Sequence, residues 1–269
     1  MIGDERHTND MIADVTGVVL AGGHSSRMGA DKAALLIGGE PLLRRVVRRL
    51  RLALAETLVV GPPELAALLQ PLAPGQTTEH VTEHATNQQP EQTARPIAET
   101  RVIPDAQPGL GPLGGLATAL GAITTPYAFV IACDMPFVQP TLIRAQARLA
   151  LTEYPLADPS LVGAPTQEAG DPPSGAISAP TGYDVVALRT AQGVEPLHAI
   201  YARACLPIVE AQLAAGNLAM WRLLARLRVR ELPADEVARA DPHGLSTLNA
   251  NTPDEWARMV ALADEPADA

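Results

Sequence analysis

The segment VTGVVLAGGHSSRMGADK, from Val15 to Lys32, constrains the fold of this chain more than any other stretch. It opens with the apolar run Val15 to Ala21, whose shortness and β-branched valines predict a strand buried inside a sheet. The two glycines that follow predict a loop whose backbone N–H groups can approach an anion closely. Arg27 and Lys32 add two cationic donors to this loop. A buried strand, a glycine loop and two cations together favour a triphosphate ligand.

Two other kinds of phosphate loop do not fit these residues. The dinucleotide fingerprint needs G-x-G-x-x-G, whereas the glycines here are Gly22, Gly23 and Gly29. The P-loop needs Ser or Thr after its lysine, whereas Ala33 follows Lys32. If the glycines do more than turn the chain, the loop therefore belongs to a different class of nucleotide-binding loop.

Composition supports a special role for Lys32. It is the only lysine in a chain that has 20 Lys and Arg residues, so arginine supplies every other cationic side chain of this kind. A lone ammonium in a glycine loop indicates a site that needs a compact point charge rather than a planar guanidinium group.

Composition also excludes several classes of protein. The net charge of −10 argues against a nucleic-acid-binding surface, which needs a basic face. The arginines between Leu42 and Ala55 could indicate an RNA-binding helix, but a solvated helix face explains them better. Cys133 and Cys205 lack the spacing of a metal site or of a disulfide framework. The acidic residues 1–14 do not resemble a signal peptide, and no apolar run approaches about 18 residues, so we expect a cytoplasmic protein without a membrane span.

Predicted strands and helices alternate, which indicates a three-layer α/β fold with a mainly parallel sheet. The predicted strands are Val15–Ala21, Thr57–Val60, Arg101–Pro104, Tyr127–Cys133, Tyr183–Arg189, Glu195–Tyr201 and Val229–Leu232. The predicted helices are Leu42–Ala55, Pro63–Leu69, Leu116–Ile123, Thr141–Leu151, Cys205–Ala215, Leu218–Leu227 and one that follows Thr252. We expect one domain at 15–262, with flexible segments at 1–14, 74–99 and 152–182 and a tail at 263–269.

Acidic side chains follow two of these predicted strands. Asp134 comes directly after Tyr127–Cys133, and in an open parallel sheet ligands bind beyond the carboxyl ends of the strands. A carboxylate there could hold Mg²⁺ near a triphosphate, or it could cap the helix that follows Pro136. Asp105 follows another predicted strand and precedes the glycine-rich stretch Gly109–Gly115. That stretch leads into a helix, so it predicts a second edge suited to an anion or a base.

The stretch NANTPDE near the C-terminus combines a helix start with two alternating amides. Thr252 and Glu255 have the spacing of a capping box, which is a sufficient structural reason for both residues. The capping box does not explain Asn249 and Asn251. If they lie in a strand, their amides point to the same face.

Four motifs together resemble the molybdenum cofactor guanylyltransferases. The loop L-A-G-G-x-S-x-R-M-G-x-D-K resembles the signature loop of enzymes that move NMP from an NTP. Its Asp-Lys pair differs from the sugar-phosphate pyrophosphorylases, in which proline usually precedes the lysine. The other motifs are G-P-L-x-G-L after VIPD, C-D-M-P, and N-x-N-T-P. The resemblance covers about residues 15–150 and 183–262, and it departs at Gly61, where relatives can carry a polar residue.

This resemblance implies a Rossmann-like nucleotidyltransferase fold and a set of site residues. It implies catalytic roles for Arg27, Lys32 and Asp134, and Mg²⁺ binding by Asp134 and Asn251, with Asn249 as a second candidate. The implied nucleotide-binding residues are Leu20, Ala21, Gly22, Gly23, Lys32, Asp105, Gly111, Gly114 and Asp134. His198 lies in EPLHAIY, which resembles the family's hairpin near the pterin pocket. It could contact a substrate there or simply pack within its strand.

The implied reaction is attack by the terminal phosphate of molybdopterin-bound molybdenum cofactor on the α-phosphorus of Mg·GTP, with release of pyrophosphate. The implied partners are GTP, molybdopterin or its molybdenum cofactor, and molybdoenzymes or their chaperones, without nucleic acid or membrane. Three alternatives stay open. They are a CTP-dependent cytidylyltransferase of the same cofactor, a sugar-1-phosphate nucleotidyltransferase, and a catalytically inactive nucleotide-binding regulator.

Overall fold

The computed structural model describes residues 11–22, 32–70, 97–152 and 182–264. Their centre is a seven-stranded sheet. In the order of their positions across the sheet, the strands are β5 (Arg101–Ile103), β4 (Leu54–Val60), β1 (Ile12–Leu20), β6 (Tyr127–Ala132), β8 (Gly193–Ala202), β7 (Val185–Thr190) and β9 (Val229–Glu231). A separate two-stranded ribbon pairs β2 (Leu36–Ile37) with β3 (Glu40–Pro41).

The sheet is mainly parallel. The pairs β1–β4, β4–β5, β1–β6 and β7–β9 are parallel, whereas β8 runs antiparallel to both of its neighbours, β6 and β7. The antiparallel β7–β8 pair confirms the hairpin predicted around EPLHAIY. The mainly parallel α/β architecture is therefore confirmed, with one reversed strand that the hairpin introduces.

Helices cover both faces of the sheet. The helices are α1 (Leu42–Leu50), α2 (Gly111–Ala122), α3 (Pro140–Thr152), α4 (Leu206–Ala214), α5 (Met220–Leu224), α6 (Ala234–Ala240) and α7 (Pro253–Asp264). Helix α1 packs with α3, and α2 packs with α4. Among the described residues, no helix combines the length and the hydrophobicity needed to cross a lipid bilayer.

Small and aliphatic side chains build the main core, because only 3% of the residues are aromatic. Val18 and Val19 in β1, and Val130 and Ile131 in β6, are completely buried. Successive residues of a strand face opposite sides of the sheet, so burial of both members of each pair means that both faces are covered. These central strands therefore lie in the middle layer of the three.

Several predicted boundaries differ from those observed. The helix predicted over Leu42–Ala55 ends at Leu50, since a turn follows in which the Ala53 N–H donates to the Leu50 carbonyl (3.0 Å). Leu54 then starts β4, where its side chain is fully buried. Helix α2 begins at Gly111 rather than at residue 116, and α6 was not predicted. Most residues of the two predicted flexible insertions, 74–99 and 152–182, lie outside the described residues, but Ile97–Glu99 forms a 3-10 turn and Thr152 ends α3.

The chain reverses its direction of travel across the sheet at β1. It goes from β1 outward to β4 and β5, and then returns to the other side of β1 as β6. In open α/β sheets such a reversal leaves a crevice at the carboxyl ends of the two central strands. Here the Cys133 N–H donates to the Leu20 carbonyl at 3.1 Å, so the ends of β6 and β1 lie side by side. Ala21 and Asp134 therefore follow at the same edge of the sheet.

Gly114 lets α2 pack closely on the segment that precedes it. A β-carbon at this position would lie 2.9 Å from the Gln107 carbonyl oxygen and 3.0 Å from the Leu110 β-carbon. The first contact is with backbone, which cannot rotate away as a flexible side chain could. Gly121, on the same helix, has open space where its β-carbon would be.

We predict opposite effects of alanine at these two glycines. Gly114→Ala should lower the free energy of unfolding by about 1–3 kcal/mol because the added methyl group overpacks the site. Gly121→Ala should raise it by up to about 1 kcal/mol because alanine loses less backbone entropy than glycine in a helix. Urea unfolding of both variants measures the difference. Equal stability of the two variants would contradict the packing role of Gly114.

Candidate active site

Three residues from distant parts of the chain meet at the carboxyl edge of the sheet. The Lys32 Nζ lies 3.3 Å from the Asp134 Oδ2 and 3.2 Å from the Asn251 Oδ1. It also donates to the Ala250 carbonyl oxygen at 2.8 Å. The structure thus brings together three residues that the sequence assigned to one site, including both predicted metal ligands.

The core fixes the positions of Lys32 and Asp134. Lys32 begins a single 3-10 turn, Lys32–Ala34, that contacts α1, and the next residue, Ala33, is buried in the main core. Asp134 follows β6 in a turn closed by a hydrogen bond from the Met135 N–H to the Ala132 carbonyl (3.3 Å). The Met135 side chain is buried in the same core. Both charged groups are therefore held by buried neighbours in the sequence.

The predicted capping box positions the asparagine. The Glu255 Oε2 accepts hydrogen bonds from the backbone N–H groups of Asn251 (2.7 Å) and Thr252 (3.0 Å), and the Thr252 Oγ1 accepts one from the Glu255 N–H (3.3 Å). These bonds satisfy N–H groups at the start of α7. Ala250 and α7 in turn anchor in a second small core, which contains Ile37, Leu42, Phe137, Ala250 and Met259.

Asn249 and Asn251 do not lie in a strand, so the condition under which their amides would share a face is not met. Residues 249–251 have no regular secondary structure, and Asn249 is exposed. Among the described residues, the Asn249 side chain makes no hydrogen bond, whereas Asn251 reaches Lys32. A strand would need a neighbouring strand with which to pair. Here the backbone N–H groups of Asn251 and Thr252 bond instead to the Glu255 carboxylate at the start of α7.

The remaining part of the predicted nucleotide loop is only partly described. Leu20 ends β1, and the Ala21 N–H donates to the Val60 carbonyl at 2.9 Å, which ties the loop entry to β4. Gly22 is exposed beyond this point. Gly23 and Arg27 lie outside the described residues, so their predicted roles stay predictions.

Asp105 is held at the carboxyl end of β5. Its Oδ1 accepts hydrogen bonds from the Gln107 N–H (2.9 Å) and from the Thr118 Oγ1 (2.8 Å), which joins the strand end to α2. Gly111, at the first turn of α2, has φ +64°, a conformation that a side chain disfavours. Together with the close contact of Gly114, these features give structural reasons for the glycines of this stretch. They also keep the half-buried Asp105 at the same edge as Lys32.

Close packing also accounts for the glycine at position 61. A β-carbon there would lie 2.8 Å from a methyl group of Leu65 and 3.2 Å from the backbone of Ala21. A side chain at this position would therefore crowd Leu65 and the backbone of Ala21, which favours glycine here.

Glu195 is a carboxylate of this region that the sequence did not single out. It lies on β8 beside an irregularity in the β7–β8 register, and its Oε1 accepts the Leu197 N–H at 2.9 Å. Burial raises the pKa of Glu195, and the negative charge of Asp134 raises it further. The motif EPLHAIY could have drawn attention to it, but only the tertiary structure shows that Glu195 lies within the electrostatic influence of Asp134.

His198 packs inside the protein and does not face the site. It is completely buried, and its ring meets Phe129 edge-on with centroids 5.1 Å apart. Neither ring nitrogen has a hydrogen-bond partner among the described residues. Burial lowers the pKa of His198 to about 4, and the nearby carboxylate of Asp241 offsets this only in part. Of the two interpretations left open above, the packed strand histidine is correct.

The oxygen atoms around the Lys32 ammonium also suit a divalent metal ion. Mg²⁺ prefers oxygen ligands, and the carboxylate of Asp134 and the amide of Asn251 already converge on one cation. Within the described ranges, no three side chains of His, Cys, Asp or Glu form a metal-binding group. A metal ion at this edge would therefore complete its coordination with ligand or water oxygens.

Comparison with known proteins identifies a matching family. Residues 17–232 match the family described as the MobA-like NTP transferase domain. The match includes residues 17–20 of β1, both acidic strand ends and the β7–β8 hairpin. It ends before Asn251, which reaches the site from the C-terminal segment.

Two related proteins have names that state the same activity. A molybdenum cofactor guanylyltransferase of Burkholderia orbicola is 30% identical over 221 residues, which cover 80% of this chain and 96% of that protein. A Natronomonas pharaonis protein named "Probable molybdenum cofactor guanylyltransferase" is 32% identical over 207 residues, which cover 73% of this chain and 74% of that protein.

A solved structure shares the fold. Molybdopterin-guanine dinucleotide biosynthesis protein A from Archaeoglobus fulgidus superposes with a TM-score of 0.62 at 21% sequence identity. The superposition covers 93% of this chain and 100% of the other. At this identity the similarity establishes the Rossmann-like fold alone, and the activity must be argued from the residues of the site.

We predict that His198 makes the protein less stable in mild acid. The unfolded chain takes up a proton near pH 6.5, whereas the buried imidazole resists protonation down to about pH 4. Stability should therefore fall by up to about 1.4 kcal/mol per pH unit as pH decreases through this window. Urea unfolding between pH 7 and pH 5 should show a smaller loss for His198→Phe than for wild type. The same change at the exposed His243 is the control, and an unchanged pH dependence in His198→Phe would refute the assignment.

Proposed function

Because the chain belongs to the MobA-like NTP transferase family, we propose that it transfers GMP from GTP to the terminal phosphate of molybdopterin-bound molybdenum cofactor. An oxygen of the acceptor phosphate forms a bond to the α-phosphorus of GTP. The bond from that phosphorus to the oxygen bridging it to the β-phosphorus breaks, and pyrophosphate leaves with the electron pair. The product is the guanine dinucleotide form of the cofactor. The names of the two relatives support this choice of nucleotide and acceptor.

The observation that carries the proposal is the meeting of Lys32, Asp134 and Asn251 at the end of β1 and β6. This is the edge at which the backbone of Ala21 and Gly22 leaves the sheet. A cation, a carboxylate and an amide beside a glycine loop match the needs of a bound triphosphate. Pyrophosphate release would separate the proposed enzyme from a catalytically inactive nucleotide-binding regulator.

Phosphoryl-type transfer depends mainly on positioning and on neutralising charge, so the site needs no side-chain nucleophile. In the proposed complex, Lys32 and Arg27 stabilise the negative charge of the triphosphate. The backbone from Leu20 to Gly23 approaches the phosphates, and Asp105 contacts the nucleotide at the edge formed with α2. The acceptor phosphate is itself the nucleophile.

The proposed metal ion is Mg²⁺, held by Asp134 and Asn251. Their oxygen atoms are the donor type that this ion prefers, and they already face one positive charge. When bound, Mg²⁺ would neutralise charge on phosphate oxygens of the nucleotide. The protein contributes by keeping the carboxylate and the amide at a fixed separation through β6 and the cap of α7.

We predict that changes at Lys32 and Asp134 abolish turnover but not folding. Lys32→Met and Asp134→Asn should each lower kcat by about 10²–10³-fold, because the first removes a preorganised cation beside the triphosphate and the second removes the charge proposed to hold Mg²⁺. Pyrophosphate release with GTP and the acceptor is the measurement. Arg222→Met, which removes an exposed cation on α5, is the control and should keep near-native activity. Near-native turnover in either site variant would refute the assigned roles.

We also predict nucleotide selectivity in binding. A ligand present at 100 times its Kd stabilises the folded state by about 2.7 kcal/mol, so thermal unfolding with Mg²⁺ and each of GTP, CTP, ATP and UTP should reveal preference. GTP should raise the Tm most. A rise with CTP alone would instead assign the cytidylyltransferase activity, and equal rises with all four would contradict base selection.

A further inference from the structure

The Lys32 ammonium has no hydrogen-bonding capacity left over. An ammonium carries three N–H donors. Its three acceptors are the Asp134 Oδ2, the Ala250 carbonyl oxygen and the Asn251 Oδ1, at 3.3, 2.8 and 3.2 Å. To hold a phosphate oxygen, the ammonium must give up at least one of them.

Two of these acceptors are the oxygen atoms assigned above to the metal ion. The ion pair is well shielded, with 13% of the Lys32 side chain and 20% of the Asp134 side chain exposed. A divalent cation on the same oxygens would lie next to the ammonium, and two like charges in a partly buried site repel strongly. The arrangement therefore favours one cation at a time.

We propose that Lys32 takes the place of the divalent cation when no nucleotide is bound. The ammonium keeps the side chains of Asp134 and Asn251 facing each other, although these residues are 117 positions apart in the sequence. As the triphosphate arrives, Lys32 exchanges these oxygens for phosphate oxygens, and the divalent cation takes its place. Lys32 is then a positioning residue of the free protein as well as a ligand of the nucleotide. This inference rests on the metal-binding part of the proposed function.

The exchange has a consequence for metal binding by the free protein. Without nucleotide, a divalent cation must displace the ammonium, so its affinity should be low. When Lys32 is replaced by an uncharged side chain of similar length, the two oxygens lose their cation and should bind the metal more tightly.

The first experiment measures Mn²⁺ binding to the full chain without nucleotide, from the electron paramagnetic resonance signal of free Mn²⁺. Lys32→Met should bind Mn²⁺ at least about tenfold more tightly than wild type, since a neighbouring positive charge is gone. The gain should persist in about 1 M KCl, where the Debye length is about 3 Å and distant charges are screened. Lys32→Met/Asp134→Asn should lose the gain, and Arg222→Met, which removes an exposed cation on α5, should bind as wild type. Equal affinity of Lys32→Met and wild type would overturn the proposal.

The second experiment observes the ammonium group in the wild-type protein. Because Lys32 is the only lysine, protein labelled with ¹³C at the lysine ε-carbon gives a single lysine signal. Addition of Mg·GTP should shift this signal as Lys32 changes partners. An unshifted signal in samples whose Tm has risen with Mg·GTP would show that the nucleotide binds without the exchange, and would overturn the proposal.

The two proposals fail in different ways. A wild-type protein whose Tm is unchanged by every nucleotide contradicts the proposed transferase function. The Mn²⁺ comparison needs no nucleotide, so it tests the competition between Lys32 and the metal by itself. Tighter Mn²⁺ binding by Lys32→Met would support the competition whatever the nucleotide panel shows.

Discussion

The contact of the Lys32 ammonium with Asp134 and Asn251 is the interaction on which the site depends. It joins residues that lie 102 and 219 positions apart in the chain. Each partner is supplied by a different unit, namely the turn after the glycine loop, the end of β6 and the cap of α7. The three contacts of the ammonium can therefore form together only when the loop, the sheet and the C-terminal helix are correctly positioned. A partly buried charge of this kind is costly unless paired, so the pairing also makes misassembly unfavourable.

The fold provides the place where this contact can form. The return of the chain from β5 to β6 puts the carboxyl ends of β1 and β6 side by side, and Asp105 lies farther along the same edge, at the end of β5. The hairpin β7–β8 then adds an antiparallel strand next to β6, which brings Glu195 near Asp134. A parallel sheet thus collects the groups proposed to face the nucleotide on one side of β6, and the reversed strand adds a further carboxylate on the other.

Much of the site was predictable because its signals are local. A short valine-rich run followed by glycines, an aspartate after a buried strand, and the Thr252–Glu255 capping box all depend on neighbours in the sequence, and each is found where it was expected. The conformation of the two asparagines stayed open, because a two-residue alternation cannot reveal whether a strand lies beside them. The end of α1 was missed for a similar reason, since the burial of Leu54 is decided by contacts within the sheet.

By itself the sequence determined the α/β class, the buried strand that precedes the glycines and the identity of the cation at the site, since these follow from hydrophobic pattern, glycine placement and a single lysine. Only the tertiary structure decided that Asn251 rather than Asn249 reaches Lys32, that His198 is packed away from the site, and that Gly61 and Gly114 are required by close contacts. These outcomes depend on distances between segments far apart in the chain. No local pattern encodes such a distance, because it is set by how the sheet and the helices pack together.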